Sequence, residues 1–320
     1  MLRLFTSKIF NKFFLGLLPL AFPIVAMSQQ IPQYSHFLFN SFGINPATAG
    51  MKKCLDMRFG YRTQWVGFDG NPKTGFANIN GSIKSKKKQT LTVKHGFGAS
   101  VVTDETGPTS FTTVSGAYAI HLPLSRKTTL SFGTYIGVIQ YRLDASKLRT
   151  QFADPAISNS SSSFIFPDIS PGFWLYTKKG FFGGTLTHAL ANTIDGFGYN
   201  STLARHYNFT AGRIWGDVDY ISYVPAAQLK LVANSRPALD ISLLADYKQS
   251  IAIGLLYRSS DAVAGLLKVN FLQYFTLAYA YDFTTSKVKL GSSNTHEIIL
   301  GISACPKTAK RSMVPCGAYN

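Results

Sequence analysis

From residue 53 onward, apolar and polar positions alternate with a period of two. Leu55, Met57, Phe59 and Tyr61 are interleaved with Asp56, Arg58, Gly60 and Arg62. Leu239, Ile241, Leu243, Ala245 and Tyr247 are set against Asp240, Ser242 and Asp246, with Leu244 the exception. Phe275, Leu277, Tyr279, Tyr281 and Phe283 alternate with Thr276, Ala278, Ala280 and Asp282, and Ile298, Leu300 and Ile302 with Glu297, Ile299 and Gly301. Successive side chains of an extended chain point to opposite faces, so each segment presents one apolar face and one polar or small face. Read this way, the chain predicts about fourteen strands, near 53–65, 73–84, 95–104, 109–121, 127–141, 168–178, 180–188, 205–214, 218–231, 238–247, 251–258, 262–270, 272–283 and 294–304. No helix-period segment interrupts them.

The connections sort by length. Those near 179–180, 216–217, 248–250 and 271 are tight, whereas 145–167, 189–204 and 284–294 are long. Alternating short turns and long loops, with strands of about ten residues, are the pattern of a transmembrane antiparallel β-barrel of the outer-membrane type. The competing soluble reading is an exported two-sheet sandwich with an apolar interior. Apolar faces ending in Tyr and Phe resemble interfacial aromatic girdles and favour the barrel.

Ahead of the strands, Arg3, Lys8 and Lys12 precede an apolar run from Phe13 to Ala26 and a small-x-small site at Ala26-Met27-Ser28. That is the layout of a cleaved signal peptide. The chain therefore divides into a signal peptide over 1–28, a lead-in or plug segment over 29–52, a barrel over 53–304 and a basic tail over 305–320. The expected location is the cell outer membrane, with cleavage near Ser28.

Composition agrees with this division. Only 15% of the 320 residues are charged, against roughly 25% for a soluble globular chain. Hydrophobic residues make up 46%, ample for an ordered fold, yet no run reaches the roughly 18 apolar residues of a spanning helix. The formal charge is +17, or +14 once the three basic residues of the leader are removed. Lys84–Lys88, Lys94, Arg126-Lys127, Lys178-Lys179 and Lys307–Arg311 place that excess at turns of one side. It can meet anionic head groups of outer-membrane lipid or an acidic periplasmic partner. No nucleic-acid-binding module is visible, so nucleic acid is not expected.

Chemistry-bearing motifs are lacking. There is no G-x-S-x-G elbow and no P-loop, and Gly96-Phe97-Gly98 and Gly196-Phe197-Gly198 do not open helices. The cysteines and histidines lack zinc spacing. The expectation is a protein that is not an enzyme and has no catalytic residue, no cofactor and no metal.

The candidate functional residues are of three kinds. Tyr34, Phe37, Phe39, Asn45 and Pro46 belong to the lead-in, which is either a plug or lid packed on the periplasmic mouth or a docking surface for a periplasmic partner. Asn45-Pro46 suits a turn into the first strand. Trp65 and Asp69 sit in the first outer connection, where Gly67, Asp69-Gly70 and Asn71-Pro72 supply turn chemistry and a cargo could also be met. Cys54 opens the first strand and Cys305 follows the last, so a disulfide of Cys54 with Cys305 or the tail Cys316 could lock the seam, leaving one thiol over. Inward parity also falls on Arg58, Arg62, Lys268, Asp56, Asp240, Asp246 and Asp282. These either pair across a filled lumen or line a channel for solutes.

Several blocks resemble one known family. Gln29-Gln30-Ile31-Pro32-Gln33-Tyr34-Ser35-His36-Phe37-Leu38-Phe39-Asn40 and Ile44-Asn45-Pro46-Ala47-Thr48-Ala49-Gly50 are similar to the opening signature of the PorP/SprF family. Tyr61–Pro72, Gly107–Ser110, Tyr118–Leu124, Tyr257–Ala264, Ala280–Ser286 and Thr295–Ile298 follow in order, so the resemblance spans about 29–304. It implies an outer-membrane barrel that supports secretion or surface display of cargo proteins by the type IX secretion system, gliding adhesins among them. The implied partners are secreted cargo and the machinery itself. A small-solute channel or porin is the alternative. The basic tail 305–320, with two cysteines, departs from the family pattern.

Overall fold

The computed structural model describes residues 31–52, 54–83, 91–147, 162–193, 202–233, 235–272, 274–286 and 294–304. The signal peptide, the lysine run at 84–88, and the tail with Cys305 and Cys316 lie outside them. Fifteen strands form one antiparallel sheet, and β10–β11 pairing closes it. They are β1 (Leu55–Thr63), β2 (Lys73–Ile83), β3 (Lys94–Thr106), β4 (Thr109–Pro123), β5 (Thr128–Leu143), β6 (Ser162–Thr177), β7 (Gly180–Thr187), β8 (His206–Arg213), β9 (Trp215–Gly216), β10 (Ile221–Val232), β11 (Ala238–Tyr247), β12 (Ile251–Arg258), β13 (Ala262–Phe271), β14 (Phe275–Thr284) and β15 (Thr295–Ala304). The seam is β1 against β15, in the register Leu55↔Ala304 to Thr63↔His296.

The two-residue β9 continues β8. The register Ala226↔Gly212 runs straight into Tyr223↔Trp215, and the gap falls opposite Pro225, which has no N–H to give the ladder. With β9 counted as part of β8, the barrel has fourteen staves. Proline also explains why β6 begins six residues before the predicted position at 168. Pro167 and Pro171 lie inside it, paired with Val138 and Thr134 of β5. Ile169, of the same parity, turns its carbonyl to Ala189 on the other side. The nitrogens of Pro167 and Pro171 therefore face the edge where β7 joins only from Gly172 onward, and no ladder bond is lost.

Exposure along the staves is inverted relative to a soluble protein. Ile253 is 61% exposed and Leu255 65%, while Asp240 and Glu297 are fully buried. Aliphatic side chains such as Ile241, Leu243, Leu267 and Leu277 occupy the middle of the outer wall. Tyr223 and Tyr247 flank the band at one end, and Tyr61, Tyr207, Tyr257 and Phe283 at the other. This apolar belt with aromatic borders meets lipid, and the polar face points inward. The sandwich reading requires the opposite sign.

The connections 124–127, 178–179, 248–250 and 272–274 are short and share one end with the start of β1 and the end of β15. The opposite end carries 64–72, 144–161, 188–205 and 285–294. By that asymmetry the first end is periplasmic and the second faces outward. Among the described residues no helix is long and apolar enough to cross a membrane.

Candidate functional site

Residues 31–52 lie inside the barrel. A lid on the periplasmic mouth would have left its aromatics half exposed, whereas Tyr34, Phe37, Leu38, Phe39 and Phe42 are all buried. The reason is in the wall. Phe76, Trp174, Phe181, Leu256 and Ile299 turn inward among the polar side chains and form one apolar cluster with Tyr34, Phe37, Leu38, Phe39 and Met51. Burying an aromatic or aliphatic side chain is worth about 1.5–3 kcal/mol, so the lumen is an apolar socket for this segment. Tyr34 packs edge-on against Phe76 at 5.0 Å, and Phe39 lies under the Arg58 guanidinium at 4.1 Å.

The segment runs the length of the lumen. Tyr34 to His36 lie near the outward end, beside Arg62 and Glu297, and Phe39 follows at Arg58. Asn40 Oδ1 accepts from Asn78 Nδ2 at 2.8 Å. After the single helical turn α1 (Ser41–Ile44), Asn45 supports the 3-10 turn Pro46–Thr48, with its Oδ1 accepting from the Ala47 N–H at 2.9 Å. Asn45 Nδ2 donates to the carbonyls of Phe173 (3.0 Å) and Gly184 (3.1 Å), linking the turn to β6 and β7. Asn45-Pro46 thus starts a turn in mid-lumen, several residues before β1. Near the periplasmic end, Ser131 Oγ donates to Ala47 O at 2.6 Å and His121 Nε2 to Ala49 O at 2.7 Å. There the segment touches the wall backbone: a Cβ on Gly96 would stand 1.9 Å from Ala49 O.

A network of buried ions grips the outward half. Glu297 accepts from two consecutive backbone groups, Ser35 N–H at 2.7 Å and His36 N–H at 2.8 Å. Arg62 bridges Asp282 at 2.8 Å and Glu297 at 3.2 Å, and donates to Ser35 Oγ at 2.7 Å. Ser35 Oγ in turn donates to Asp282 at 2.8 Å. Arg258 reaches Asp282 at 3.1 Å and Asp240 at 3.4 Å, and Lys230 holds Asp240 at 2.7 Å. Lower in the lumen, Asp56 joins Lys52 (3.0 Å) to Arg58 (2.9 Å), and Asp246 pairs with Lys268 at 3.0 Å. All seven charges expected to face inward do so, and each is paired. Buried charges satisfied on several sides hold one arrangement, because each is fixed by more than one partner. Arg258, Glu297 and Ser35 complete the clamp and were not singled out from the sequence. Arg258 and Glu297 sit at inward parity on their strands, the signal that could have identified them.

Trp65 has a left-handed backbone (φ 49°), and its N–H donates to Thr295 Oγ1 at 3.1 Å. Asn71 Nδ2 closes the connection onto Thr63 and Gln64, and Gly107 N–H donates to Gly70 O at 2.9 Å. Asp69 is exposed on this compact turn, far from the clamp. Cys54 is buried at the periplasmic end and is disulfide-bonded. Lys94, Arg126, Lys127, Lys178 and Lys179 gather at the same end. Among the described residues no group of His, Cys, Asp or Glu could hold a metal ion.

The family model for the type IX secretion system membrane protein PorP/SprF matches residues 26–302. A comparison with curated proteins finds no match. Solved structures of similar outline include the Ralstonia pickettii toluene transporter TbuX (11% identity, 83% of this chain and 93% of that chain, TM-score 0.49). The P. putida toluene transporter TodX (10%, 82% and 93%, 0.47) and a Pseudomonas aeruginosa FadL homologue (12%, 85% and 94%, 0.44) are two more. With its family match covering the plug segment and nearly the whole barrel wall, this chain belongs to the PorP/SprF family of type IX secretion system membrane proteins.

Proposed function

We propose that this chain is an outer-membrane accessory barrel of type IX secretion. In this reading it is exported by a signal peptide cleaved near Ser28, and it supports secretion or surface display of cargo proteins such as gliding adhesins. The observation that carries the reading is the filled lumen within a family tied to that machinery. A conduit needs an open path, whereas residues 31–52 fill the bore with buried aromatics and paired ions. Function then resides on the two rims, where cargo meets the outer connections and machinery meets the basic periplasmic turns. The role is binding and not catalysis.

Deletion of the gene followed by proteomics of cell surface and medium tests this. Loss of a specific secreted protein is expected. Unchanged secretion together with altered solute uptake would overturn the reading in favour of a channel, and steady conductance of the pure protein in a planar bilayer would point the same way.

A further inference from the structure

Above the clamp, a cavity of about 330 Å³ opens toward the outer face, with Ile31, Pro32 and Gln33 of the plug as its floor. The plug makes it a blind pocket and not a path, and its volume lies within the range of small-ligand sites, roughly 300–1,000 Å³. The charged groups of the wall are engaged within the protein. Thr74 Oγ1 donates to Asp104, Ser170 Oγ and the His188 ring hold Asp168, and Lys230 holds Asp240. Arg236 stands exposed at the rim.

The uncharged polar groups of the wall are not engaged. Gln228 on β10 (3% exposed), His206 on β8 (5%) and Ser115 on β4 are buried and line the cavity. None of the three side chains has a hydrogen-bond partner among the described residues. Buried polar side chains ordinarily find a partner, so three on one cavity mark a site for an occupant that brings hydrogen bonds with it. Beside them, Phe111 packs on Tyr141 at 4.8 Å, is backed by Ile139 and Leu203, and gives the cavity an apolar patch.

We propose that this cavity binds a neutral saccharide, one sugar ring entering from the cell exterior. An amide, an imidazole and a hydroxyl each donate and accept, as sugar hydroxyls do, and an aromatic ring can cover the apolar face of the sugar. An ionic ligand would need a free buried counter-charge, and the buried charges here are already paired. An extended peptide would need a strand edge for its backbone, whereas a lumen wall presents side chains. The site stands whether or not the chain serves secretion, so the two readings fail separately.

The test uses the full-length barrel folded in a sugar-free detergent and ligand-observed saturation-transfer NMR. Glucose, galactose and N-acetylglucosamine are the saccharide probes, and N-acetyl-dialanine amide is the peptide probe. Saturation should reach the ring protons of at least one sugar. Gln228→Leu and His206→Leu, on different strands, should each weaken that sugar by about fivefold to tenfold, the loss of one hydrogen bond. Asp69→Asn, on a separate outer turn, should leave it unchanged. Heat-modifiable gel migration confirms that each barrel is folded. No transfer to any of the three sugars, or transfer that survives both substitutions, overturns the proposal. Binding of the peptide probe alone overturns it in favour of a peptide site.

Discussion

Glu297 accepts from two consecutive N–H groups of the plug backbone, and replacing it has a calculable effect. In Glu297→Ala the N–H groups of Ser35 and His36 lose a shared carboxylate at 2.7 and 2.8 Å, in a site with no exposure to replace it with water. A hydrogen bond to a charged group contributes about 1.5–3 kcal/mol, so the pair amounts to about 3–6 kcal/mol. Arg62 keeps Asp282 and Ser35 Oγ, so its charge remains partnered and adds little to the loss. At about 1.4 kcal/mol per decade, local opening of the segment becomes roughly two to four powers of ten more frequent. Amide hydrogen exchange of a peptide covering residues 31–42, followed by mass spectrometry on the detergent-folded barrel, reads this directly. The peptide should exchange faster by that factor while the β1 and β15 peptides stay protected. Glu297→Gln keeps one acceptor oxygen and should fall between. Protection of 31–42 within tenfold of the parent in Glu297→Ala would show that aromatic packing alone seats the plug.

Three further predictions concern the wall and the seam. Leu255→Arg, on the outer face of β12, should destabilise the membrane-folded barrel by about 2–4 kcal/mol in urea titrations from lipid vesicles; a negligible change would contradict a lipid-facing wall. Gly96→Ala forces a methyl group against Ala49 O and should cost about 1–3 kcal/mol in the same assay, whereas Gly265→Ala, with nothing within 4 Å, should be near neutral. Equal effects would mean the plug does not touch the wall there. Nonreducing peptide mapping should recover Cys54 linked to Cys305, since these two are the sequence neighbours of the paired residues Leu55 and Ala304; a Cys54–Cys316 peptide, or free Cys54, would reject that pairing.

Much of the barrel could be read from the alternation. The strands were placed to within a few residues because each has one face for lipid and one for the lumen, and the period of two records that division in every segment. The largest disagreement was at β6, which starts at Ser162 inside a segment read as a long connection, and which contains Pro167 and Pro171. They are tolerated because their nitrogens face an edge with no partner ladder, a property of which neighbour stops where. Parity also turned Arg58, Arg62, Lys268 and the four aspartates inward, but it could not say whether they lined a channel or closed one.

Sequence by itself determined the fold class and the sidedness of each residue, because both follow from local alternation and loop length. The tertiary structure alone decided what fills the lumen. Residues 31–52 have no strand period, and their aromatics would suit a lid, a docking face or a plug equally well. Their place depends on pairings across more than 200 positions, Ser35 with Glu297 and Ser35 with Asp282, and on apolar side chains that break the polar inner face at Phe76, Trp174 and Ile299. Each of those looks like an exception within its own strand. Only ring closure brings them to one wall, and there they form the socket that draws the segment into the bore.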